Sequence, residues 1–246
     1  MRIINNALLL AIVILASACG GSGGGGNSDS GTSATASMDA QGQTIVSAFM
    51  QGETSLIGDI SNPAGASATS RINERVEIVP IISGGTLAGV KFIYDNHSAS
   101  GPGGGVAILN GVIVGTGDAS GGSADNDGPM TRTFQSFTSA DGKWIFDGTL
   151  DVEVHGNVWG GLSSPFLLGT ITDTLDNTAY SLTATSGENG DVYIFDDVRI
   201  QVELSGDSSA QNVQCSQDNN SFILLHKQGG GPVMSCVLNA DCSGCL

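Results

Sequence analysis

Residues 143–155 read KWIFDGTLDVEVH, and their alternation decides the fold class. Trp144, Phe146, Leu150, Val152 and Val154 fall on one parity, while Lys143, Asp147, Thr149, Asp151, Glu153 and His155 fall on the other. A period of two is the mark of a strand with one face in the core and one in water. Asp141-Gly142 just before it reads as a two-residue type I′ hairpin turn, a register that sets Phe137 opposite Phe146 on the core face. A second long strand runs through 191–204, DVYIFDDVRIQVEL, where Asp196 breaks the apolar face and predicts a bulge. Shorter runs rich in Val, Ile, Thr and aromatic residues lie at 75–82, 86–94, 105–114, 131–137, 165–172, 180–185, 221–226 and 233–238. Turn signals separate them with no helical pattern between. The expectation is an all-β chain: an antiparallel β-sandwich or barrel of about ten strands.

Two segments stand outside that rhythm. Met38, Ile45, Val46, Phe49, Met50, Leu56 and Ile57 recur at spacings of three, four and seven, which predicts a short amphipathic N-terminal helix within 38–60 despite Gly42 and Gly52. At the other end, Cys215, Cys236, Cys242 and Cys245 all lie within 207–246 around a short apolar hairpin. Four clustered cysteines read as two disulfides, with three pairings open. The Cys242–Cys245 spacing is also that of thiol redox motifs, but no helix follows to stabilise a thiolate, and a four-cysteine zinc site would want the C-x2-C spacing twice.

The first 18 residues carry one cation, Arg2, then an apolar core, then Ala16, Ser17 and Ala18. This is the layout of a cleaved secretory signal, with an apolar core too short for a permanent span. Residues 15–19, LASAC, resemble the lipobox of bacterial lipoproteins, with Ala16 where the family has Leu. The resemblance implies cleavage before Cys19, acylation of Cys19 and, with Gly20 following, a place in the outer membrane. Several acyl chains on one residue meet the requirement for stable anchoring. Residues 19–37 then form a Gly/Ser-rich tether, whose roughly 18 residues after the cysteine give a random-coil reach of about 23 Å. The β-domain is expected over 70–206, followed by the cysteine-bearing hairpin.

Composition narrows the partners. The 246 residues carry 8 Lys+Arg against 24 Asp+Glu, a net charge of −16 that becomes more negative when Arg2 leaves with the signal. Such a field repels phosphate backbones, so nucleic acid is excluded as a natural partner, whereas a divalent cation is attracted. Asp118, Asp125, Asn126 and Asp127 cluster in a Gly-rich stretch and could offer oxygen ligands to calcium, although the spacing is not that of an EF-hand. Asp173, Asp176 and Asn177 make a weaker cluster of the same kind. GDASGG at 117–122 differs from the G-D-S-G-G-P motif of trypsin-like serine proteases by an inserted Ala119 and a missing proline, and reads as a Gly/Ser loop. The alternating acids Asp147, Asp151 and Glu153 read as a solvated strand face rather than a glycosidase pair. The three histidines, His97, His155 and His226, are too scattered to form a site by sequence alone.

The reading is therefore a membrane-anchored extracytoplasmic lipoprotein with a non-enzymatic binding or structural role toward a protein or small-molecule partner. Two alternatives differ in class. A solute-binding β-barrel is one, since lipid cysteine, Gly-rich tether and VWGG at 158–161 together resemble the transferrin-binding-type surface lipoproteins. An extracytoplasmic hydrolase is the other.

Overall fold

The structure is a computed structural model and describes residues 36–61, 75–118, 121–159, 167–176, 179–207, 210–217 and 221–246. In chain order the elements are β1 (Ala36–Ser37), α1 (Ala40–Ser61), β2 (Arg75–Ser83), β3 (Thr86–Ser100), β4 (Val106–Asp118), β5 (Gly121–Asn126) and β6 (Met130–Thr138). There follow β7 (Trp144–Trp159), β8 (Leu167–Asp176), β9 (Leu182–Ser186), β10 (Val192–Asp207), β11 (Ala210–Cys215), β12 (Phe222–Lys227) and β13 (Met234–Val237). All the described strands join one sheet, antiparallel except where β1 runs parallel to β13, and its ends are β2 and β1. The signal, Cys19 and most of the tether lie outside the described residues. Ser33–Leu246 makes one compact unit.

The two stretches with the clearest alternation, β7 and β10, are the strands that organise the sheet. Each is 16 residues long and has two partners on either side: β7 pairs with β5 and β6 on one edge and β8 and β9 on the other, while β10 takes β8 and β9, then β11 and β12. Short strands therefore come in stacked pairs between long ones. The Phe137–Phe146 pairing is present, and the register shift in β10 falls between Phe195 and Asp197, at the expected bulge. The described residues hold thirteen strands rather than ten, because β1, β5 and β11 join those expected.

The Asp-Gly turn takes a different form from the type I′ expectation. Only Gly142 has positive φ (72°), and the loop spans more than two residues: the Ser139 N–H donates to Trp144 O. The cause is the Asp141 carboxylate, which accepts from the Ser139 hydroxyl (2.6 Å) and the Lys143 N–H (3.0 Å) and so holds the chain in a wider loop. Those same bonds hold the Asp141 carboxyl below the ordinary aspartate range.

The helix fills nearly the whole expected span and belongs to the core. Asp39 caps it, its Oδ1 accepting from the Gly42 N–H at 2.7 Å. Ile45, Val46, Phe49, Met50 and Leu56 are buried, and the Phe49 ring lies 5.4–5.9 Å from those of Phe134 on β6, Phe146 on β7 and Phe195 on β10. These aromatics sit on the inner face, where one register row runs through Ala107, Phe134, Gly148, Leu182, Phe195 and Leu225 across six strands. A single hydrophobic cluster joins the helix to the sheet, an arrangement consistent with a barrel or sandwich. Gly148 is required in that row. Its φ is 139°, and an added Cβ would stand 2.7 Å from Leu182 Cα, so Gly148→Ala should lower stability by about 2 kcal/mol or more in urea unfolding. A change within a few tenths of a kcal/mol would show that the backbone there can relax.

The cysteine-bearing hairpin is no separate appendage. Its strands β12 and β13 continue the main sheet through β10, and Ile223, Leu225 and Cys236 face the core. Two disulfides close it, Cys215–Cys242 and Cys236–Cys245, each with a Cα–Cα separation of 5.2 Å. The pairings interleave, so the two cysteines of the C-x-x-C spacing bond outward rather than to each other. The Asn239 side chain accepts from the Ser243 N–H (2.9 Å) and the Gly244 N–H (3.2 Å), and the Ser243 carbonyl accepts from the Ser47 hydroxyl of α1 at 2.6 Å. The C-terminal loop thereby grips the helix.

Candidate functional site

Among the described residues, a group of charged side chains lies on the outer face where β3, β4, β5 and β7 meet. The register row there reads Lys91, Val114, Asp125 and His155, one residue per strand. His155 is held at both nitrogens. Its Nδ1 lies 2.9 Å from Asp125 Oδ1 and its Nε2 lies 3.0 Å from Glu153 Oε1, and all three side chains are more than half exposed. Alongside, Lys91 Nζ donates to Asp127 Oδ2 at 2.9 Å. The hydrogen bond to the Asp125 carboxylate, then that to Glu153, raises the His155 pKa above its ordinary value.

The expected calcium cluster is thus split between two basic side chains. Asp125 serves His155, Asp127 serves Lys91, and the Asn126 amide donates to Gly128 O at 2.9 Å. The Asp118 side chain, residues 119–120 and Asn177 lie outside the described residues, as do the side chains of Asp173 and Asp176. Asp125 and Asp127 each have a basic partner through one carboxylate oxygen, and among the described residues no three His, Cys, Asp or Glu groups are placed to hold a metal. The stretch is also not a loop in the way expected: 121–126 is strand β5, paired with β4 and β7.

The other acids of β7 are engaged as well. Asp147 Oδ1 accepts from the Ser136 N–H at 2.7 Å, securing the β6 bulge where Ser136 takes a positive φ of 49°. A second histidine–carboxylate pair sits at the β10 bulge, where His226 Nδ1 lies 2.8 Å from Asp196 Oδ2. The Lys227 ammonium donates to Asp191 Oδ2 at 2.6 Å, which raises its pKa. The cross-strand histidine pairings were not visible in the linear chain, since His155 and Asp125, like His226 and Asp196, stand 30 residues apart.

Two further pairs of ionisable side chains are buried. Arg132 of β6 and Glu53 of α1 form an ion pair with side-chain exposures of 2% and 0%, and Arg132 stands in the register row between Leu109 and Leu150. His97 and Tyr94 flank a bulge in β3, their rings 5.8 Å apart, and burial pushes the Tyr94 hydroxyl well above its ordinary range. The sequence does carry one signal for the ion pair, a lone glutamate inside the apolar spacing of Phe49, Met50 and Leu56. The chain matches no family model, no curated protein and no solved structure.

Proposed function

We propose that the protein is a membrane-anchored extracytoplasmic lipoprotein, held by lipid on Cys19 in the outer membrane, whose β-domain recognises a partner or serves a structural role without catalysis. The observation that carries this is the interleaved disulfide pair Cys215–Cys242 and Cys236–Cys245, which belongs to an oxidising compartment outside the cytoplasm. The lipobox-like LASAC at 15–19 supplies the anchor and Gly20 to Ser37 the tether. No helix among the described residues is long and apolar enough to cross a membrane.

Recognition through the outer face and hairpin ends is favoured over capture in a lumen. Phe49 and Glu53 of α1 already occupy the inner face against β6, β7 and β10, where a solute would otherwise lodge. The test is protease shaving of intact cells beside membrane fractionation of a Cys19→Ala variant. The wild-type chain should sediment with membranes and the variant should become soluble. A variant that stays fully membrane-bound would overturn the lipid anchor. Digestion on unbroken cells would assign the domain to the outer surface, whereas protection until the outer membrane is opened would assign it to the periplasmic face.

A further inference from the structure

The geometry points to a proton-operated clasp: His155 fastens β5 to β7 as an imidazolium and lets go of one strand's carboxylate when it loses a proton. The argument is one of donors and acceptors. Carboxylates accept only, and they stand at both ring nitrogens, Asp125 Oδ1 at 2.9 Å from Nδ1 and Glu153 Oε1 at 3.0 Å from Nε2. A neutral imidazole has a single N–H, so it can satisfy one of the two. Both bonds coexist only in the doubly protonated ring. Deprotonation breaks one of them and leaves two carboxylates with no cation between them. His226 makes the contrast: its ring meets a carboxylate at Nδ1 alone, which a neutral tautomer can serve.

The surroundings favour the charged form. Asp125 reaches the ring from β5 and Glu153 from β7; beyond Val114, Lys91 on β3 is already paired with Asp127. On the other side the register neighbour on β8 is Thr172, followed by Glu203 on β10. Acidic groups outnumber cations around the ring, in keeping with its raised pKa. The sign follows. A histidine whose folded pKa is raised contributes its stability fully below the unfolded value of about 6.5, and that contribution is lost as pH rises through the folded pKa. The clasp is closed in acid and opens in alkali.

What opens is local. Asp125 is the last register pair between β5 and β7, and β5 is six residues long with two inward-facing small residues and no large apolar side chain to hold it. Exposed ion pairs contribute little to global stability, so the effect belongs in the protection of β5 rather than in unfolding of the whole domain. The experiment is a histidine-ring NMR titration of the full-length protein from about pH 5 to about pH 9, with amide exchange of Gly122–Asp125 corrected for intrinsic rates and referenced to Val152 and Ile200. The assigned His155 midpoint should lie above about 6.5, and corrected exchange in β5 should quicken several-fold above that midpoint. His155→Gln should abolish the pH dependence, while His155→Arg, charged throughout, should keep β5 protected at high pH. A midpoint at or below the ordinary value, or the same pH-dependent exchange in His155→Gln, would overturn the clasp.

Discussion

Arg132→Met should cost the protein about 3–5 kcal/mol of unfolding free energy, and adding Glu53→Leu should recover most of that loss. The asymmetry comes from burial. Arg132 and Glu53 side chains are 2% and 0% exposed, so removing the guanidinium takes its counter-charge from a carboxylate buried in the interior. In the double variant neither charge remains to be desolvated. Two apolar side chains then take their place, and the one at position 132 stands in the row between Leu109 and Leu150, a setting that is apolar on both sides. Urea unfolding of the two single variants and the double variant completes the cycle. A single-variant loss below about 1 kcal/mol, the range of surface pairs, would mean that α1 does not dock on β6 as described. Equal losses in the single and double variants would instead mean that the pair's geometry contributes more than its charge costs.

That ion pair also marks where sequence reading reaches its limit. The helix was legible because Ile45, Val46, Phe49, Met50 and Leu56 repeat at helical spacing, and its burial followed from the same stripe. The glutamate within the stripe called for a buried cation, yet nothing local identified Arg132, 79 residues away. The long strands β7 and β10 were legible for the corresponding reason, since large apolar residues show a period of two. Strand β5 was hidden because GGSADN has almost no side chains with which to show it. Its inward positions are small, Ala124 pairing with Gly115 on β4 and Gly156 on β7, so a strand of glycine and acid looked like a cation-binding loop. The Asp141-Gly142 signal set the register correctly and the turn incorrectly, because hydrogen bonds from the Ser139 hydroxyl and the Lys143 N–H to the Asp141 carboxylate decide the loop width and alternation does not encode them. The cysteines revealed the compartment; their spacing left the pairing open, and only the placement of β11 and β13 in one sheet resolves it.

The second large effect concerns those cysteines. Removing Cys215–Cys242 by a double alanine replacement should lower stability by about 3.5 kcal/mol, from a closed loop of 27 residues, and the nine-residue loop of Cys236–Cys245 should cost about 2.6 kcal/mol. For a domain of this size the first loss corresponds to a fall in Tm of about 7–14 °C. The order of the two effects carries the argument, because chain entropy scales with loop length whereas local strain relief would not. A third measurement separates tethering from grip on the helix. Ser47 donates to the Ser243 carbonyl at 2.6 Å, and Ser243 directly follows Cys242, so losing the bridge loosens the partner that Ser47 needs. Ser47→Ala should therefore cost less in the bridge-free background than in the wild type. Strictly additive losses would show that the C-terminal loop keeps its place on α1 without the disulfide, leaving chain entropy in the unfolded state as the bridge's whole contribution.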